Sequence, residues 1–143
     1  MRGAVFLWYN YQYMSDDDIK KKILVVDNEE VVRKAVAEEL EEDGFEVILA
    51  KDGKEGLKFA LDKKPDVILL DLGLPKMDGL TVLSKLREDG WGKEAKVIIF
   101  SVNDPDRETL DAVNKLKPAY YLVKSNWSLD EVVKRLKEVT KTM

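Results

Sequence analysis

The 143-residue chain contains no cysteine and no histidine. The absence of thiols rules out a disulfide framework, thiolate metal sites and a cysteine nucleophile, and it suits a reducing cytoplasm. The absence of imidazole rules out His-ligated metals, Ser-His hydrolysis and a phosphohistidine on this chain. If phosphate is carried here, a carboxylate is its natural carrier. Long apolar runs are missing as well. The most apolar stretch near the start, Ala4-Val5-Phe6-Leu7-Trp8-Tyr9, falls far short of the about 20 residues needed to span a bilayer. It also lacks the cleavage pattern of a secretory signal. There is no excess of basic charge. Lys and Arg total 24 against 28 Asp and Glu, a net charge of −4, so no direct nucleic-acid binding is expected.

What remains is a chain with 45% apolar and 36% charged residues, the balance of one soluble globular domain. Residues 1–18 read as an N-terminal extension, disordered or a non-native start, with Met14 a more natural beginning. Residues 19–143 read as the domain.

From Ile19 onward, apolar runs occur at 22–27, 45–50, 66–71, 96–101 and 119–124, separated by stretches with helical spacing. Val32, Ala35, Val36 and Leu40 share one face of a first helix, and Gly44 is placed to stop it. Asp52 and Glu55 have capping-box spacing at the start of a second helix, with Leu57, Ala60 and Leu61 facing inward. A third helix over about 79–89 turns Leu80, Leu83 and Leu86 inward. A fourth over about 105–117 does so with Leu110, Val113 and Leu116. A fifth opens at Ser128 with Glu131 three residues on, and Trp127 and Val132 sit where a hydrophobic staple would join. Leu129, Val132, Val133, Leu136 and Val139 form its stripe. Strands without polar alternation, alternating with helices, predict an α/β doubly wound parallel sheet of the flavodoxin-like kind. It has five strands and five helices, and the order 2-1-3-4-5, one of the two common solutions, puts a ligand crevice between strands 1 and 3.

The chemistry gathers at the strand ends. Asp71 closes Asp66-Val67-Ile68-Leu69-Leu70-Asp71 and is followed by Leu72-Gly73-Leu74-Pro75-Lys76-Met77-Asp78-Gly79, a loop sequence. Asp27-Asn28 closes strand 1, Ser101 closes strand 4 and Lys124 closes strand 5. Taken singly, each has a plain structural explanation: a turn or cap aspartate, a cap serine, a solvated lysine, a packed tyrosine at 121. Jointly they place oxygen ligands and one cation around a single crevice. Hard oxygen ligands with open positions suit Mg²⁺. A carboxylate beside Mg²⁺ can attack a phosphoryl group, and a lysine and a hydroxyl can then stabilise the transferred oxygens.

On these motifs, residues 20–141 resemble the receiver domain of two-component response regulators, in particular stand-alone, chemotaxis-regulator-like members. The stretch from Asp71 to Gly79 carries most of that specificity. The resemblance implies Asp71 as phosphoacceptor and Asp27, Asn28, Asp71 and the Gly73 backbone carbonyl as the Mg²⁺ pocket. It implies Lys124 and Ser101 as phosphate-binding groups, and Ser101 and Tyr121 as the switch pair. A histidine kinase or phosphotransfer protein would supply the phosphoryl group. The helix 4, strand 5 and helix 5 face would then signal to a downstream target protein, or pair with a second copy as a homodimer. The resemblance implies a cytoplasmic signalling phosphoprotein rather than an enzyme, with no membrane partner.

The sequence departs from the family pattern twice. The second acidic residue is replaced by Asn28, which is expected to weaken metal binding. Ser125 stands where a cis proline usually follows the lysine, so a trans bond and a reshaped loop are expected. Other readings fare worse. An aspartate-based phosphohydrolase needs a second Asp two residues after the nucleophile, where Gly73 stands. A flavodoxin needs a phosphate loop where Asn28-Glu29-Glu30 stands. A degenerate receiver, binding proteins independently of phosphorylation, is the main alternative.

Overall fold

Five parallel strands form one sheet in the order β2-β1-β3-β4-β5, as the strand pattern predicts. The strands are β1 (Lys22–Val26), β2 (Glu46–Ala50), β3 (Val67–Leu70), β4 (Val97–Ser101) and β5 (Tyr120–Val123). The structure is a computed structural model that describes residues 20–102 and 104–141. The expected N-terminal extension, residues 1–18, lies outside the described residues. Among those described, five α-helices connect or follow the strands: α1 (Glu30–Glu42), α2 (Gly53–Lys63), α3 (Gly79–Glu88), α4 (Arg107–Lys115) and α5 (Leu129–Lys141).

Strand side chains point alternately to the two faces of a sheet. Ile23, Val25, Val67, Leu69, Ile98, Phe100 and Leu122 face one way, into a core completed by α1 and α5. Leu24, Val26, Ile68, Leu70, Val97 and Ile99 face the other way, against Ala60, Val82, Leu83, Leu86 and Val113. Both faces are covered, so β3 is buried at every position. This is why the strands carry continuous apolar runs with no alternation.

Local signals hold at the helix ends. The Asp52 carboxylate accepts the Glu55 N–H at 2.8 Å. Ser128 and Glu131 form a reciprocal capping box, with side-chain-to-amide bonds of 3.2 and 3.1 Å. Trp127 packs against the cluster that contains Val132. Gly44 follows α1 with φ +89°, a left-handed conformation that glycine adopts freely.

Several inward faces differ from the expected ones. In α2, Ala60 is buried with Gly53 and Gly56, while Leu57 and Leu61 are only half-buried. In α1, Ala37 is buried with Val32, Val36 and Leu40, while Ala35 is only half-buried. In α3, Val82 joins Leu83 and Leu86 inside, and Leu80 packs at the edge. In α4 only Val113 is buried, and Leu110 stays 37% exposed. That helix lies over the β4–β5 margin of the sheet, where one row of side chains meets the core.

Candidate functional site

Strand register brings the site together. Val26 of β1 is opposite Leu70 of β3, so the next residues, Asp27 and Asp71, emerge side by side at the C-terminal edge. Leu70 is opposite Ile99 of β4, and Ser101 of β4 is opposite Val123 of β5. The C-terminal ends of β1, β3, β4 and β5 therefore present Asp27, Asp71, Ser101 and Lys124 to one crevice. It lies where the connection leaving β1 runs to one side, to β2, and the connection leaving β3 runs to the other, to β4, the ligand position of doubly wound folds.

Burial and hydrogen bonding fix each group. Asp27 and Asp71 are 2% and 4% exposed. The Asp27 Oδ1 accepts the Glu29 N–H at 2.8 Å, and Arg33 donates to the Asp27 backbone carbonyl at 2.7 Å. The Asp71 Oδ1 accepts the Gly73 N–H at 3.0 Å and the Ser101 hydroxyl at 3.4 Å. Lys124 spans the pocket. Its Nζ lies 2.8 Å from Asp27 Oδ2, 3.3 Å from Asp71 Oδ2 and 3.1 Å from Glu29 Oε1. The same ammonium sits 5.5 Å from the centre of the Phe100 ring.

Burial pushes the Asp27 carboxyl above its usual range. The Lys124 hydrogen bond and the Glu29 amide oppose this, and the neighbouring Asp71 charge adds to it. Burial pulls the Lys124 ammonium down. Its hydrogen bond and charge contact with Asp27, joined by Asp71 and Glu29, outweigh burial and hold it above its usual value. Burial raises the Tyr121 phenol, and hydrogen bonding with Ser101 partly counters this.

Asn28 is exposed just past Asp27, and Gly73 is exposed just past Asp71. The peptide bonds of the described residues are all trans, and Lys124–Asn126 winds into a single 3₁₀ turn, as expected without a proline. The donor set near the two aspartates is all oxygen, which fits Mg²⁺. No group of three or more His, Cys, Asp or Glu among the described residues forms a full metal cage. Two carboxylates without a cage match a cation that keeps waters and takes phosphoryl oxygens as further ligands.

The residue that sequence reasoning missed is Glu29. Its position, two residues beyond the strand-end aspartate, was the available signal. Its contact with Lys124, 95 residues away in the chain, appears only in the fold.

The fold and site define a class: a doubly wound domain with an acidic pocket and one lysine at its switch point. A model of the response regulator receiver domain matches residues 23–137, and the chain belongs to that family, part of two-component signalling. It is 34% identical over 119 residues to the transcription regulator BvgA of Bordetella pertussis, covering 82% of this chain and 55% of that protein. It is 50% identical over 70 residues to the alkaline phosphatase synthesis regulator PhoP of Bacillus subtilis, covering 49% of this chain and 29% of that protein. The chain thus spans about half the length, or less, of these curated relatives. Among solved structures, the Francisella response regulator 1452 receiver domain is 30% identical with a TM-score of 0.75, over 86% of this chain and 98% of that one.

Proposed function

We propose that Asp71 accepts a phosphoryl group from a histidine kinase or phosphotransfer protein and that the domain signals through protein contacts. The carrying observation is the position of the Asp71 carboxylate. It is buried, with Ser101 and Gly73 at Oδ1 and Lys124 at Oδ2. A carboxylate oxygen attacks phosphorus, the P–N bond to the donor imidazole breaks, and the imidazole leaves with the electron pair and takes up a proton. Lys124 and the Ser101 hydroxyl are placed to donate to the transferred oxygens. Asp27, Asp71, the Asn28 side chain and the Gly73 carbonyl would hold Mg²⁺, which supplies charge neutralisation when bound.

The readout we propose runs from Ser101 to Tyr121 and on to the face of α4, β5 and α5. Ser101 already faces Asp71, and Tyr121 stands on the neighbouring strand, opposite Ile99 of β4. That face exposes Leu110 and Tyr120, and Arg135 lies 5.8 Å from the Tyr120 ring. Such a surface fits a target protein or a second copy of the chain. No helix among the described residues is long and apolar enough to cross a membrane.

Incubation with acetyl phosphate, with and without Mg²⁺, followed by intact mass, tests the reading. One phosphoryl group is expected on the wild type with Mg²⁺ and none on Asp71→Asn. No gain on the wild type would instead support a phosphorylation-independent binding module, the alternative that Asn28 and Ser125 keep open.

A further inference from the structure

We infer that Glu29 is the exchangeable partner of Lys124, a positioning residue that occupies the ammonium before phosphoryl transfer and yields it afterwards. The inference deepens the phosphoacceptor reading and rests on it.

A lysine ammonium has three N–H donors and no acceptor. The Lys124 Nζ meets three carboxylates, Asp27 at 2.8 Å, Glu29 at 3.1 Å and Asp71 at 3.3 Å. Its donors are therefore all engaged. A phosphoryl group on Asp71 adds roughly −1.5 to −2 charge and three strong acceptor oxygens. To reach them, Lys124 must redirect a donor. The three carboxylates differ in what they lose. The Asp27 side chain is 2% exposed, so without a bound cation in its place losing Lys124 would strand a buried charge. Asp71 is the group being modified. The Glu29 side chain is 54% exposed, so water replaces Lys124 there at little cost.

The Glu29 backbone is fixed while its side chain is not. Its N–H donates to Asp27 at 2.8 Å, and its carbonyl accepts the Arg33 N–H at 3.1 Å in the first turn of α1. Only the side chain has to swing away. Glu29 also contributes a negative charge that the exposed, neutral Asn28 does not. With Asp27, Glu29 and Asp71 against Lys124 and Arg33, the pocket carries three negative charges and two positive. Glu29 thus raises the repulsion that an incoming anion meets and competes for its main cation.

The test is titration with beryllofluoride, a tetrahedral phosphoryl mimic that bonds a carboxylate oxygen without group transfer. The bound species is followed by ¹⁹F NMR at saturating Mg²⁺ for wild type, Glu29→Gln, Glu29→Asp and Asp71→Asn. Glu29→Gln is expected to bind about threefold tighter than wild type at low salt, the scale of a half-exposed ion pair. The gap should close at about 1 M salt, where charges are screened within a few ångströms. Glu29→Asp, which keeps the charge, should stay closer to wild type. Equal or weaker binding by Glu29→Gln at low salt overturns the exchange. If wild type with Mg²⁺ shows no bound signal that Asp71→Asn lacks, the phosphoacceptor reading fails and this inference falls with it.

Discussion

Gly53 and Met77 touch where no side chain fits: a β-carbon on Gly53 would lie 1.7 Å from the Met77 carbonyl oxygen. This contact fastens the first turn of α2 to the loop that follows Asp71. The Gly53 N–H donates to the Pro75 carbonyl at 3.3 Å, and the Asp52 carboxylate lies 3.6 Å from the Lys76 ammonium. Gly79 makes a similar approach, with a β-carbon position 2.1 Å from the Asp71 carbonyl oxygen.

Gly53→Ala should therefore push the loop backbone aside. Overpacking of this kind costs about 3 kcal/mol at the upper end of its usual range. The melting midpoint should fall by roughly 10 °C. Because the loop carries Gly73, the phosphorylation rate by acetyl phosphate should fall as well. Calorimetry and intact mass over time check both, and an unaltered melting curve would refute the close contact.

Asp27 links stability to pH and, under the proposed Mg²⁺ site, to divalent cations. Burial raises its carboxyl pKa in the folded protein above the value of 3.8. Below that value the group is protonated in both folded and unfolded chains and contributes nothing. As pH rises through the window up to the raised value, the unfolded chain ionises first, so stability is lost. Asp27→Asn should match wild type near pH 3.8 and gain on it as pH rises, levelling off above the folded-state value. Mg²⁺ should raise the melting midpoint of wild type more than that of the variant. Thermal melts across pH, with and without Mg²⁺, give both curves.

Arg87 holds the far end of the domain. Its guanidinium donates to the carbonyls of Leu116, Gly92, Ala95 and Lys117 at 2.7, 2.8, 2.8 and 3.1 Å. Those oxygens belong to the segments that follow α3 and α4. Arg87→Met should cost about 3 kcal/mol, since the carbonyls lose a charged donor they share. Lysine should rescue little, because it lacks the planar fork. The extent of phosphorylation at saturating acetyl phosphate should be unchanged, because the site lies at the opposite edge of the sheet. Urea melts and intact mass separate the two effects.

Ser101→Val removes the hydroxyl that faces Asp71. Phosphorylation should persist, while shifts in amide NMR signals of α4, β5 and α5 on phosphorylation should shrink. A full-sized surface response in this variant would exclude Ser101 from the switch.

Much of this molecule is legible in the chain. The apolar runs gave the strands because a strand buried on both faces has no polar position to spare. Asp52 and Ser128 marked helix starts because capping is local. Asp27, Asp71, Ser101 and Lys124 could be named because strand ends in a doubly wound sheet share one edge. The inner face of α4 could not be read, because one apolar row at the sheet margin has the same spacing as a full stripe.

The sequence by itself determined the order of elements, the strand-end chemistry and the trans turn after Lys124, since each follows from local periodicity or from residue type. Tertiary structure alone decided that Glu29 shares the Lys124 ammonium with Asp27 and Asp71, that Gly53 presses on Met77, and that Arg87 gathers four carbonyls. These are contacts between segments distant in the chain or brought together by a turn. Their partners are set by packing and strand register, which no local pattern encodes.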